Sequence, residues 1–297
     1  MPIEKAKLAA YDTGFRVLIK NGLAAGKPVY KSFVMETIST RGSETYGWSD
    51  TFPQLREWIG EREVLSLDTH SFTIKNKSFE GTVAIKESDL EDDEVGLFNV
   101  GLTSMGMQAA VHPDKLCFEL LNNGFTNLCY DGKAFFATDH PKKEGQWSNK
   151  GVKKFSATSY KAARANLRAR TDRQGNKLDI QLGPENTFLI VNVGDEDKAR
   201  ELLTAEQISG TTNTMRNTAT LIVSSRVDDG KWFLLVDHMG LRSLVWQKRR
   251  DPRITIKGSP SDELVFWEGK AVYGVDYRGN AGYGLPEFAY GSTGAED

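Results

Sequence analysis

The stretch from Phe79 to Gly124, FEGTVAIKESDLEDDEVGLFNVGLTSMGMQAAVHPDKLCFELLNNG, constrains this chain more than any other. Thr82, Val83, Ala84 and Ile85 open it as a short β-favouring run. An acidic knot follows: Glu87, Asp89, Glu91, Asp92, Asp93 and Glu94. Carboxylates placed there face the unpaired N–H groups and the positive dipole end of a helix that begins just after them. Phe98, Leu102, Met105 and Ala109 then recur at spacings of four, three and four, the apolar stripe of an α-helix. Leu116, Cys117, Leu120 and Leu121 extend it beyond Pro113, which predicts either a kink or a restart with the proline at the first helical position. Asn122-Asn123-Gly124 ends it, with Gly124 suited to a left-handed cap. A helix of roughly twenty-five residues is about 38 Å long. Such a rod is a spine for an elongated subunit, or a long core helix of an ordinary α/β enzyme.

The segment ahead of the spine is the least regular. Ser39 to Lys77 carries Tyr46, Trp48, Phe52, Trp58 and Phe72, yet Gly42, Gly47, Pro53 and Gly60 interrupt any long element. Its second half, Glu63 to Lys75, alternates as a strand. This reads as a long excursion with a two-stranded return and large aromatics at the tip. A hairpin has no core of its own, so those aromatics are buried on their own subunit or on a neighbouring one. Residues 4–25 form an amphipathic helix with Leu8, Tyr11, Phe15, Leu18 and Ile19 to one side, ended by Gly26-Lys27-Pro28. That arm packs on its own body or on a neighbour.

Beyond the spine, Asp131-Gly132 signals a hairpin turn between Leu128–Tyr130 and Ala134–Ala137. Lys142 to Lys154 reads as an exposed, mobile loop and a domain boundary. A second unit follows, with helices at 157–171 and 195–207 and strands at 178–182, 187–193, 218–224, 231–237 and 241–246. The polar run Ser209–Asn217 is turn-prone, and the last forty residues read as strands with aromatics between glycines. The fold class is α+β.

Composition excludes several functions. Among 297 residues, 38 basic and 40 acidic side chains give a formal charge of −2, without the basic excess of general nucleic-acid binding. No apolar run reaches the roughly eighteen residues of a membrane helix, and the charged N-terminus is not a signal peptide. Cys117 and Cys129 are too few for a disulfide framework, which suits a reducing compartment. His70, His112, His140 and His238 make no metal-ligand spacing. Asp139-His140-Pro141 reads as a structural turn. Nucleophile-elbow, Walker A and Rossmann patterns are missing. No catalytic centre, cofactor or metal is expected. The basic run Lys248, Arg249, Arg250 and Arg253 reads as a solvated loop, or as a contact to an acidic neighbour or nucleic acid. An aromatic-rich extension on a long spine, with no reactive cluster, fits an assembly subunit better than an enzyme.

Four blocks carry a resemblance: SETYGWSDTFPQLREWIGER at 43–62, FEGTVAIKESDLEDDEVG at 79–96, HPDKL at 112–116 and CYDGKAFFATDHP at 129–141. Together they resemble the Mu-like phage major head subunits, which are tailed-phage capsid proteins of the Hong Kong 97 fold. The resemblance implies an N-arm at 1–38, an E-loop at 39–77 lying across an adjacent subunit, and a P domain with the spine helix at 78–155. It further implies an A domain at 156–268 and a C-terminal segment, 269–297, returning to the P domain. It implies pentamers and hexamers in an icosahedral virion shell around double-stranded DNA, assembled in the host cytoplasm. Expected partners are a portal, a decoration protein and a separate scaffolding protein, because the spine comes too early for an internal scaffolding segment. The Lys–Asn cross-link of the namesake phage cannot be matched to Lys75, Asn76 or Lys77. The expected interface residues are Trp48, Phe52, Leu55, Arg56, Trp58 and Ile59, the acidic Glu91, Asp92 and Asp93, and the basic Arg249 and Arg250. The N-arm, E-loop and 142–154 loop, lacking a core, are expected to adapt between positions. The alternatives are an encapsulin-like nanocompartment shell or an enzyme with a dispersed site.

Overall fold

The computed structural model describes residues 5–49, 69–91, 95–258 and 262–296. The first part of the chain forms α1 (Lys5–Ala25), α2 (Tyr30–Phe33), β1 (Met35–Ile38), β2 (Ser43–Ser49), β3 (Thr69–Lys75), β4 (Lys77–Lys86), α3 (Glu87–Glu91) and the spine α4 (Val95–Asn123). Next come the short β5 (His140–Pro141) and β6 (Gln146–Trp147), β7 (Lys150–Lys153), α5 (Ala157–Arg168), β8 (Thr187–Val191), α6 (Glu196–Thr204), and the two-residue strands β9 (Gln207–Ile208) and β10 (Thr211–Thr212). The last part holds β11 (Thr220–Val223), β12 (Trp232–Val236), β13 (Leu244–Lys257), α7 (Glu263–Glu268), β14 (Lys270–Tyr283) and β15 (Ala289–Glu296).

Two sheets organise the molecule. One runs β1-β13-β14-β4, with β1 parallel to β13 and the other pairs antiparallel. Along β14 burial alternates: Ala271, Tyr273, Val275 and Tyr277 point inward, and the residues between them point towards the free face. The other sheet runs β11-β8-β12-β15-β7. Every residue of β8 and β12 is buried, as strands covered on both faces must be. Helix α5 starts sharply there, because Ser156 and Ser159 exchange side-chain and backbone hydrogen bonds in a capping box.

The spine carries its inward stripe as the periodicity predicts. Leu102, Cys117 and Leu121 are buried, and Phe98, Met105, Ala109, Leu116 and Leu120 are partly buried against the cores. The helix runs through Pro113 without a restart. Its 29 residues span about 44 Å.

Several expectations are corrected. The N-terminal arm does not lack a core: Phe15 and Ile19 pack with Ile85, Leu90, Leu102 and Tyr273, and Tyr273 donates its hydroxyl to Asp12 at 2.8 Å. Two glycines let α1 and α4 touch backbone to backbone. A Cβ on Gly106 would lie 2.1 Å from the carbonyl oxygen of Ile19, and one on Gly22 would lie 2.0 Å from that of Thr103. Asp114 of the spine then accepts the N–H groups of Val29 and Tyr30 at 3.0 and 2.7 Å. The segment 142–154 is not simply a loop, for β7 forms a sheet edge and Asn149 is fully buried. Residues 178–182 make no strand, while α7 takes a stretch read as strand. The Asp131-Gly132 turn forms, but its flanks meet only in a single bridge, Leu128 to Ala134.

Candidate assembly surfaces

The base of the excursion is the antiparallel pair β2–β3, in register from Ser43 opposite Lys75 to Ser49 opposite Thr69. It is fastened to the first sheet by a polar network. The Tyr46 hydroxyl lies 2.9 Å from Gln247 Oε1 and 2.7 Å from Thr37 Oγ1. Gln247, buried on β13, donates its Nε2 to the Ile74 carbonyl at 3.2 Å and to Asn76 Oδ1 at 2.8 Å. Asn76 in turn donates to Ser39 Oγ and the Arg41 carbonyl, so its amide is committed within the subunit. Glu44 accepts the N–H groups of Thr40 and Arg41 and the Ser39 hydroxyl. The Thr40 bond first, then those from Ser39 and Arg41, hold its carboxyl below the ordinary value.

An apolar contact supports the same junction. Ile74 is buried, and Gly282 of β14 makes room for it: a Cβ there would lie 2.3 Å from Ile74 Cδ1. Phe72 packs on Tyr283 with ring centroids 6.4 Å apart. Tyr46 and Phe72, two of the aromatics on the excursion, are therefore partly buried against their own subunit.

The other expected interface residues fall variously. Trp48 lies in β2 opposite His70, and its side chain is outside the described residues, as are Phe52, Leu55, Arg56, Trp58 and Ile59 altogether. Glu91 ends α3, a short helix made from the front of the acidic knot, and Asp92 and Asp93 lie outside the described residues just ahead of Val95. Arg249 and Arg250 are not in a loop. They sit in β13, where the register with β14 shifts on both sides of Arg250. This bulged stretch also accommodates Pro252, which cannot donate to a ladder.

Arg249 is exposed there, while Arg250 and Arg253 both pair with Asp276, the latter at 2.8 Å. Lys248 pairs with Glu36 and Asp251, each at 3.2 Å. Partial burial, then the charges of Arg253, Arg278 and Arg249, push the pKa of Arg250 down from its ordinary value. Lys248, Arg250, Glu36 and Asp251 line a cleft with Ala109, Ala110 and Pro113 of the spine, while Arg253 and Asp276 line a separate groove with Glu80 and Thr82, so the cations of this stretch are divided between two grooves.

Two apolar surfaces were not singled out from the sequence. Leu97 and Val100 stand 73% and 77% exposed on the outer side of the spine, and Trp267 of α7 stands 79% exposed. The signal for the first pair was present, for both residues are apolar and lie off the inward stripe. Trp267 carried no signal, because its segment read as strand.

The family model described as Mu-like prophage major head subunit gpT matches residues 8–156, 145–227 and 224–296. The chain is 28% identical over 294 residues to the major capsid protein of Escherichia phage Mu, an alignment covering 99% of this chain and 76% of that protein. Its structure is similar to the procapsid subunit of bacteriophage JBD30, with a TM-score of 0.60 and 30% identity, over 98% of this chain and 76% of that one. It is similar in fold to a chain of the JBD30 capsid decorated with minor capsid protein trimers, with a TM-score of 0.57 and 24% identity, over 69% of this chain and 92% of that one.

Proposed function

Because the chain belongs to the Mu-like prophage major head subunit family, we propose that it forms both pentamers and hexamers that close an icosahedral shell around double-stranded DNA. It is a phage major capsid protein with the Hong Kong 97-like fold, and its place is the capsid of the virion. The observation that carries the reading is a two-stranded arm fastened to the β1-β13-β14-β4 sheet beside a long spine, in a chain whose relatives are phage head proteins.

In this reading the hairpin of residues 39–77 is the E-loop, and Trp48, Phe52, Leu55, Arg56, Trp58 and Ile59 are its contacts on the adjacent subunit. Burying one large apolar side chain contributes about 1.5–3 kcal/mol, so a few bias the subunit towards assembly. Glu91, Asp92 and Asp93 at the head of the spine are complementary in charge to Arg249 and Arg250 on the bulge, and we assign the two groups to contacts between subunits. The bounds expected from the resemblance shift with the sheets: β13, within 156–268, goes with the first sheet, α1 and the spine as the P domain, while β7, within 78–155, and β15, within 269–297, go with the five-stranded sheet as the A domain. Assembly takes place in the host cytoplasm with a separate scaffolding protein and a portal, and a decoration protein covers the finished shell. Packaged DNA is touched without sequence preference, and no catalytic role is proposed.

Families of head proteins and a match over most of the chain favour this reading over a cellular nanocompartment. Co-expression with the scaffolding protein of its phage, followed by sizing and electron microscopy, tests it. Shells of megadalton mass are expected. A small oligomer of constant size under those conditions would overturn it.

A further inference from the structure

The loop after the spine gathers three metal-ligand types that lie apart in sequence. Cys129 Sγ, a carboxylate oxygen of Asp131 and a ring nitrogen of His140 all lie within 4.8 Å of one another. Cys129 is 5% exposed, the Asp131 side chain 4% and that of His140 0%. The Cys129 thiol donates to Asp131 Oδ1 at 3.1 Å, and His140 Nδ1 lies 2.6 Å from Asp131 Oδ2.

A fourth residue decides how the imidazole is held. Asn149 Oδ1 accepts the Ala137 N–H at 2.9 Å, while its Nδ2 donates to the carbonyls of Phe135 and Pro286 at 2.8 and 3.2 Å. These backbone partners allow one orientation of the amide. Its Oδ1 then faces His140 Nε2 at 3.1 Å, so Nε2 carries a hydrogen. Nδ1 consequently turns towards a carboxylate. With Nε2 committed to Asn149, Nδ1 is the ring nitrogen available to share a cation with the Asp131 carboxylate.

We propose that Cys129, Asp131 and His140 bind a divalent metal ion of the zinc class, coordinated by thiolate, carboxylate and Nδ1, with water completing the tetrahedron. Thiolate, imidazole and carboxylate together suit Zn²⁺ rather than Mg²⁺ or Ca²⁺. Asn149 supplies the outer hydrogen bond that orients a metal-bound histidine. Ligand atoms around tetrahedral zinc lie about 3.3–3.5 Å apart, so the two hydrogen-bonded pairs open by less than about 1 Å on loading. Binding is an exchange without redox change: Zn²⁺ enters, and the thiol proton and the proton between Nδ1 and Asp131 leave. Thiolate and carboxylate then cancel the charge of the ion in a buried site. The ion ties the loop after the spine to Asn149 and, through it, to Pro286, where the chain passes from β14 of one sheet to β15 of the other.

The test uses untagged full-length protein purified without chelator. Elemental analysis is expected to find one zinc per subunit after dialysis against zinc chloride, and none in Cys129→Ser or His140→Gln. Cobalt chloride gives a second readout, a thiolate-to-cobalt charge-transfer band expected in the wild type and in Cys117→Ala. With two cysteines in the chain, those two proteins decide the matter even if Cys129→Ser fails to fold. A wild type that retains no zinc and shows no such band overturns the proposal, as does a band lost in Cys117→Ala and kept in Cys129→Ser.

Discussion

The two sheets of this subunit are built to opposite rules. In the five-stranded sheet, β8 and β12 are buried along their whole length, and Trp232, Phe233, Leu234 and Leu235 have neighbours on both faces. In the β1-β13-β14-β4 sheet, helices α1 and α4 cover one face, and β4 and the outer half of β13 alternate along their length between partly buried residues on that face and exposed residues on the other. The first is complete as a single chain. The second carries the arm, the bulged basic stretch and the exposed side of the spine, the features proposed above to meet a second molecule. The difference teaches that a shell subunit can separate its own stability from its capacity to associate.

The largest expected effect lies in the complete lobe. Trp232 is fully buried and donates Nε1–H to the Lys153 carbonyl at 3.0 Å. Trp232→Ala should cost about 3–5 kcal/mol, read as a drop in urea midpoint or loss of soluble protein. A change under about 1 kcal/mol would mean that this lobe is not the stable one. Next comes the join between the arm helix and the spine. Gly106→Ala sets a Cβ against the Ile19 carbonyl and should cost about 1–3 kcal/mol by overpacking. Limited proteolysis should then cut within α1 before it cuts within 187–236. Cleavage in the reverse order would break the comparison.

A smaller effect is confined to pH. Glu287 is buried, and burial raises its carboxyl above the ordinary value against the opposing hydrogen bond from Tyr130. The folded protein therefore keeps that proton longer than the unfolded chain. Its contribution is present below the ordinary carboxylate pKa and is lost as pH rises through the raised one. Glu287→Gln keeps an acceptor for Tyr130 and removes the titration, so the urea midpoint of the wild type should fall relative to the variant across that window. Parallel curves would show that the group is not buried as described. The smallest effect belongs to the open face: Arg253 is 62% exposed beside Asp276, and Arg253→Ala should change stability by about 0.2–1 kcal/mol. A larger loss in the isolated subunit would mean that the basic stretch holds the fold together.

Legibility in the sequence follows how local each determinant is. The spine stripe of Phe98, Leu102, Met105 and Ala109 is a periodicity within one element, and it was readable. Strands β8 and β12 are continuous apolar runs, and they were readable too. Strand β13 was recognisable only from 244 to 246, because Lys248, Arg249, Arg250 and Pro252 look like a loop until β14 supplies a partner across a bulge. Strand β7 is polar because it is a sheet edge. Gly22 and Gly106 mean little until two helices far apart in sequence are brought together. His140 was read beside Asp139, its chain neighbour. In the fold Asp139 pairs with Lys133 at 2.5 Å, and His140 meets Asp131 instead. The contacts expected of Phe52, Leu55, Arg56, Trp58 and Ile59 depend on a second chain, and no pattern within one chain can specify its surface.

Hydrogen–deuterium exchange of the free subunit against the assembled shell tests the separation most directly. The account predicts slowed exchange on assembly in the arm at 43–75, along the outer side of the spine near Leu97 and Val100, and through the bulge at 248–253. Strands β8 and β12 should already be protected in the free subunit and change little. Protection gained mainly at 187–191 and 232–236, with the arm unchanged, would contradict it.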